Sequence, residues 1–179
     1  MLFRSDDRLP HRPIPDRLAD SIEDLESLEQ SVPALGKRLQ ELGHRMRAQA
    51  PQNDDESRFV HGGMHPRNVF VDSATVGFID LDGVHTGSPM YDLGKMSADL
   101  RNDAPVREAF FGGYARGYAR ATGKVLNLES VAWWTAVDLI RRAAKPGRIL
   151  EPDGPQKAER LMREATATLQ NGSSSSNTT

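Results

Sequence analysis

Residues 61–68 read His-Gly-Gly-Met-His-Pro-Arg-Asn, a stretch that neither a helix nor a sheet interior absorbs. Two adjacent glycines raise the entropic cost of regular structure, and the proline removes a backbone donor. The segment must be a loop, and its flanks decide what that loop can serve. After it, Val69-Phe70-Val71-Asp72 and Val76-Gly77-Phe78-Ile79-Asp80 are β-branched and aromatic, separated by Ser73-Ala74-Thr75, which predicts a hairpin. With the turn centred on Ala74, antiparallel pairing sets residues whose numbers sum to about 148 opposite each other. Asn68 then faces Asp80 across the open end of the hairpin.

On both sides of this segment the periodicity is helical. Leu18, Ile22, Leu25 and Leu28 recur at steps of three or four after Pro15, and Val32, Leu35, Leu39 and Leu42 repeat the pattern after Pro33. Pro51 and the polar run to Ser57 end the second of these helices. Beyond it, helices are expected from Asp92 to Arg101, from Val106 to Ala121 with Gly123 as the stop, from Leu128 to Ala144 before Pro146, and from Gly154 or Pro155 to about Leu169. The expected class is mostly α (α+β), a helical body around one short hairpin. Residues 1–14 read as an irregular arm, 15–170 as one domain, and the low-complexity run 171–179 as a disordered tail.

The chain has 179 residues, 23 Lys+Arg, 25 Asp+Glu and a net charge of −2, so no global field favours nucleic acid or an anionic membrane. Cysteine is absent, which excludes disulfides, thiolate metal sites and thiol catalysis, and a reducing cytoplasm is the expected setting. No apolar run approaches the length that spans a bilayer. An anionic ligand would need a local site.

Asn68 and Asp80 offer one. A hard divalent cation such as Mg²⁺ accepts one or two carboxylates and an amide oxygen, leaving its other positions to substrate phosphates and water. Protein kinases use an Asn of the catalytic loop and an Asp beyond the next hairpin in this way, and His61 and Asn68 have the seven-residue separation of that pattern's His and Asn.

At these residues the chain resembles the aminoglycoside phosphotransferase and choline kinase-like family, whose signature is approximately His-Gly-Asp-x-His-x-x-Asn, a hairpin, Ile-Asp-x-Asp and Gly-Asp-Pro-x-x-Asp-Leu. Here the corresponding residues are His61-Gly62-Gly63-Met64-His65-Pro66-Arg67-Asn68, Ile79-Asp80-Leu81-Asp82 and Gly87-Ser88-Pro89-Met90-Tyr91-Asp92-Leu93. The resemblance spans roughly Pro15 to Leu169. It implies the C-terminal lobe of a protein kinase-like fold and, as family reaction, transfer of the ATP γ-phosphate to the hydroxyl of a small-molecule acceptor. It implies Asn68 and Asp80 as ligands of Mg²⁺ and, through the metal, of the nucleotide; His61 as a histidine bracing the loop; His65 as loop-shaping; and Asp92 as the helix carboxylate that binds loop backbone. Asp82 would stand behind the metal site or toward the acceptor.

Two departures shape the expected activity. The family's catalytic Asp falls on Gly63, which has no side chain to accept a proton, and general-base assistance is worth about 10²–10⁴-fold. The family's strand-rich N-terminal lobe, with its phosphate-covering loop and strand lysine, has no counterpart before Pro15, and the first lysine, Lys37, lies on a predicted helix. Weak or absent catalysis by this chain alone is therefore expected. A pseudokinase-type binding or regulatory module, or a subunit whose missing lobe comes from another chain, are the alternatives.

Other residues carry competing readings. His61 and His65 have the spacing of a zinc-binding helix, but Gly62, Gly63 and Pro66 bar that helix. Tyr114 and Tyr118 are expected to face the core between solvated arginines. Trp133 and Trp134 are expected as core plus a partly buried neighbour, with one of them able to stack on an acceptor. Arg141, Arg142, Lys145 and Arg148 are expected to complement a helix C-terminus.

Overall fold

The computed structural model describes residues 9–52, 58–73, 75–145 and 149–174. Helix α1 covers Ile14–Ser31 and α2 covers Gly36–Ala48, joined by a 3-10 turn, Pro33–Leu35. Both amphipathic faces turn inward, burying Leu25 and Leu28 from α1 and Leu39, Leu42 and Met46 from α2. Two small sheets follow. Strand β1 (Arg58–Val60) pairs antiparallel with β4 (His85–Gly87), and β2 (Val69–Val71) pairs antiparallel with β3 (Val76–Phe78). Helices α3 (Met90–Asp99), α4 (Ala104–Thr122), α5 (Leu128–Ala144) and α6 (Gly154–Ser174) follow, with short 3-10 turns at Pro66–Asn68, Leu81–Gly83 and Leu100–Asn102. The fold is mostly α.

Helix α5 is the axis of the core. Most of its side chains are buried, including both tryptophans, and α1, α3 and α6 pack around it. Its start is capped by Asn127, whose Oδ1 accepts from Ser130 N–H at 3.0 Å. The α3–α5 crossing is close because Gly94 has no side chain, and a Cβ there would lie 2.5 Å from the Trp134 backbone carbon and Cβ. Helix α4 is attached differently. It buries no residue completely and ends at Gly123 in the left-handed region, φ 69°.

Several expectations need correction. The hairpin register is one position short of the expected one: Val69 pairs with Phe78 and Val71 with Val76, so Asn68 stands opposite Ile79, whose N–H donates to Asn68 O at 3.2 Å. The cause is a tighter turn, since Asp72 and Thr75 already exchange backbone hydrogen bonds at 3.0 and 3.3 Å. The last helix continues to Ser174, so Asn171 to Ser174 are helical, and the rest of the expected tail lies outside the described residues. The arm is not irregular throughout. Pro10 to Arg12 lies alongside β4, with Thr86 N–H donating to Pro10 O at 2.8 Å and Arg12 N–H to Thr86 O at 3.0 Å, and Ile14 already belongs to α1. Neither tryptophan is available to an acceptor. Trp133 and Trp134 are 1% and 2% exposed, and Trp133 Nε1–H is spent on Met46 O at 2.9 Å. Arg141 and Arg142 do stand in the last turn of α5, as expected, and both also bind Asp138, Arg142 binding Asp99 as well; Arg148 lies outside the described residues.

Candidate functional site

The loop that leaves β1 is held from behind by α3. Asp92, in the first turn of that helix, accepts from His61 N–H at 2.7 Å and from Gly62 N–H at 3.0 Å. Burial pushes the Asp92 carboxyl above the usual range, and these two backbone bonds oppose the shift by favouring the charged form. Its position in the first helical turn adds the favourable field of the helix N-terminus.

Gly62 has φ 78°, and a Cβ there would fall 2.1 Å from Gly83 O. Only glycine fits, so the loop runs backbone to backbone against the turn that follows Asp80. His61 is buried and fully engaged: Nε2–H donates to Ile79 O at 2.9 Å, and Nδ1 accepts from Gly63 N–H at 3.2 Å. These partners assign the tautomer and make the imidazole a brace between loop and hairpin. His65 Nδ1 accepts from Arg67 N–H at 3.1 Å and so caps the 3-10 turn Pro66–Asn68.

That turn delivers Asn68 to the hairpin mouth. Its Nδ2 donates to Gly63 O at 3.0 Å and to Asp80 Oδ2 at 3.3 Å. Asn68 is 5% exposed, whereas Asp80 is exposed. The two side chains meet despite the shifted register because Asp80 leaves the strand in the left-handed region, φ 62° and ψ 59°. It is the one non-glycine residue with positive φ among those described, and strain of this kind persists where surrounding contacts impose it.

The structure thus gathers His61, Gly63, Asn68, Asp80 and Asp92 within one hydrogen-bonded unit. Asp82 stands exposed in the turn Leu81–Gly83 and forms no hydrogen bond or ion pair with a described residue. Phe59, His61, Met64, Phe78, Leu81 and Asp92 line an open hollow of about 400 Å³ beside the loop. Tyr114 and Tyr118 are half-buried and stack at 6.3 Å; burial, then Tyr118, then the Asp92 carboxylate push the Tyr114 phenol up. No cluster of three or more His, Asp or Glu side chains suited to a metal occurs among the described residues.

The family model described as the phosphotransferase enzyme family matches residues 3–124 of the chain. The chain belongs to the phosphotransferase enzyme family. No curated protein sequence matches it. The matched segment of this phosphotransferase-family chain contains α1 to α4, both small sheets and every residue of the loop unit.

Sequence reading missed Arg17, His85 and Tyr91, which gather behind the loop. Arg17 Nη2 donates to His85 Nε2 at 3.3 Å, and the Arg17 guanidinium lies 4.6 Å from the Tyr91 ring centre. Nothing local marks them, because Arg17 and His85 are 68 positions apart in the chain.

Proposed function

We propose that this lobe belongs to an ATP-dependent small-molecule kinase of protein kinase-like fold, transferring the γ-phosphoryl group to an acceptor hydroxyl. The observation that carries the reading is the contact of Asn68 with Asp80 at the mouth of a loop pinned by Asp92. The donor set suits Mg²⁺: Asp80 supplies an exposed carboxylate, and Asn68, its amide nitrogen committed to Gly63 O and Asp80, keeps Oδ1 as a ligand. Two protein oxygens leave the remaining positions to phosphate and water, as expected of a cation shared with a nucleotide. Bound there, the metal would neutralise charge on the transferring phosphoryl group. The chain's own residues hold the ligands in place: His61 ties loop to hairpin, and Asp92 fixes the loop backbone.

Gly63 offers no general base, so the chemistry this lobe can support rests on positioning and charge neutralisation. The space for a base exists. A Cβ at Gly63 meets nothing closer than 3.6 Å, and the residue has no positive φ. The test is calorimetric titration of Mg²⁺-ATP into the chain, Asn68→Ala and Asp80→Ala. Saturable binding that both variants abolish supports the reading, and binding indifferent to both removes it. A companion assay compares ATP turnover of the chain and Gly63→Asp, with the aspartate expected to be the faster.

A second reading is favoured by the surface next to the site. Phe59, Phe78 and Leu81 are all more than 40% exposed and line the hollow together. Single exposed apolar residues are ordinary, but a contiguous group marks a covered face. On this reading the face receives a strand-rich, nucleotide-covering lobe, in the same polypeptide or another, and a lobe with Gly63 in place of the base serves as a binding or regulatory module. Stable association without dependence on Mg²⁺-nucleotide would favour the module.

A further inference from the structure

We propose that His85 and Arg17 act as a positioning strut, setting the Asp80 turn against the Asn68 loop from the far side of the sheet. The inference rests on Asn68 and Asp80 being the working pair of this lobe. His85 stands where both segments converge. Its backbone pairs with Val60, the residue before His61, so it lies beside the loop's entrance. Its side chain serves the exit: Nδ1–H donates to Gly83 O at 2.8 Å, three residues after Asp80. Gly83 O is the atom a side chain at Gly62 would strike, so one carbonyl is held between His85 and the loop backbone.

The outer nitrogen completes the strut. Nε2 accepts from Arg17 Nη2 at 3.3 Å, and Arg17 lies over Tyr91, the residue before Asp92. One guanidinium on α1 therefore touches, through His85, the turn after Asp80 and, through Tyr91, the start of the helix that pins the loop. The arrangement requires a neutral imidazole with its proton on Nδ1, because the other nitrogen must accept. Burial first, then Arg17 and Arg12, hold the His85 pKa down, while the Gly83 hydrogen bond and the Asp92 charge oppose them. Those are the charged groups facing it: Arg17 from α1, Arg12 from the segment along β4, and Asp92 from α3.

No other single side chain reproduces both contacts. Asparagine places a donor near Nδ1 and loses the Arg17 contact, glutamine reaches toward Arg17 and loses the donor to Gly83, and Arg17→Met removes the outer half alone. Neither residue reaches Asn68 or Asp80 directly, so both are positioning residues.

The test uses the full chain, with the Asn68 side-chain amide and the Gly62 and Gly63 backbone amides followed by ¹⁵N NMR without ligand, and Mg²⁺-ATP affinity measured separately. Arg17→Met and His85→Gln are expected to shift all three sets of resonances and to weaken Mg²⁺-ATP about tenfold, the worth of one charge-assisted hydrogen bond. Arg17→Lys should restore part of the loss. Folded variants whose Asn68 and glycine resonances stay at wild-type positions overturn the strut. If the wild-type chain does not bind Mg²⁺-ATP, the metal reading fails and the resonances alone decide the strut. If the variants do not fold, wild-type acidification decides. Protonation turns Nε2 into a donor facing Arg17, so the Gly62, Gly63 and Asn68 signals should move with the His85 ring. Titration of the ring without them overturns the proposal.

Discussion

Replacing Asp92 tests whether the loop is held by charge or by shape. Its carboxylate satisfies two backbone donors, at 2.7 and 3.0 Å. In Asp92→Ala the His61 N–H is stranded in a setting where the residue is 2% exposed, which costs about 1–3 kcal/mol. Gly62 is less buried than His61, so the loss of its bond is set nearer about 0.5–1.5 kcal/mol. Relief of the buried carboxylate, whose pKa is raised by that burial, offsets part of the sum, leaving about 2–3 kcal/mol of lost stability. Asp92→Asn is the sharper variant. Its shape is nearly unchanged, yet the two N–H groups meet different carboxylate oxygens, so whichever way the amide is turned its nitrogen faces one of them. We expect Asn to cost nearly as much as Ala. Urea unfolding followed by the emission of the buried Trp133 and Trp134 should place both midpoints about 1–1.5 M below wild type, for a slope of about 2 kcal/mol/M. A midpoint for Asp92→Asn within about 0.25 M of wild type would refute the reasoning, because shape would then suffice.

Gly94→Ala should cost about 1–3 kcal/mol in the same assay, since its Cβ would meet the Trp134 backbone and Cβ at 2.5 Å. Asp138→Asn should cost about 3–5 kcal/mol, because it leaves the buried Lys95 without its carboxylate at 3.5 Å. Glu159→Gln, which breaks the exposed Arg38 pair, should change stability by less than about 0.5 kcal/mol. The pH dependence has a defined sign: the folded-state pKa of His85 lies below 6.5, so the unfolded chain binds more protons in the window beneath 6.5. Acidification through that window should lower the unfolding free energy, by at most about 1.4 kcal/mol per pH unit, and His85→Asn should flatten the slope. Asp24 and Asp92, raised above 3.8 by burial, oppose this in the window just above 3.8, where the folded state binds more protons and acidification stabilises. Unfolding midpoints across pH check both windows.

What was legible in the chain follows the reach of the interactions involved. The helices from Ala104 to Thr122 and from Leu128 to Ala144 lie within two residues of their expected limits, because caps and stops are decided over a few positions. The hairpin's existence was equally local, but its register depended on whether two or three residues close the turn. A one-residue slip would normally separate Asn68 from Asp80. It does not here, because Asp80 abandons the strand for the left-handed region, a conformation open to aspartate but not dictated by its neighbours in sequence. The β1–β4 pairing was not read at all. Strands of three residues, Arg58–Val60 and His85–Gly87, give too little alternation to register, and their partners lie far apart in sequence.

The tryptophans show why aromatic residues mislead when their neighbours are unknown. Adjacent on a helix, they would normally point to different faces, one inward and one toward solvent or a ligand. Both are buried because α5 is surrounded, with Tyr91 of α3 edge-on to Trp134 at 5.4 Å and Met46 of α2 accepting from Trp133. Tyr91 also carries Arg17 on its ring and is followed by Asp92. The core therefore does not merely support the candidate site. Trp134 locates Tyr91, Tyr91 locates the first turn of α3, and that turn presents the carboxylate that fixes the loop, so a disturbance of α5 packing should be felt at Asn68 before the fold is lost.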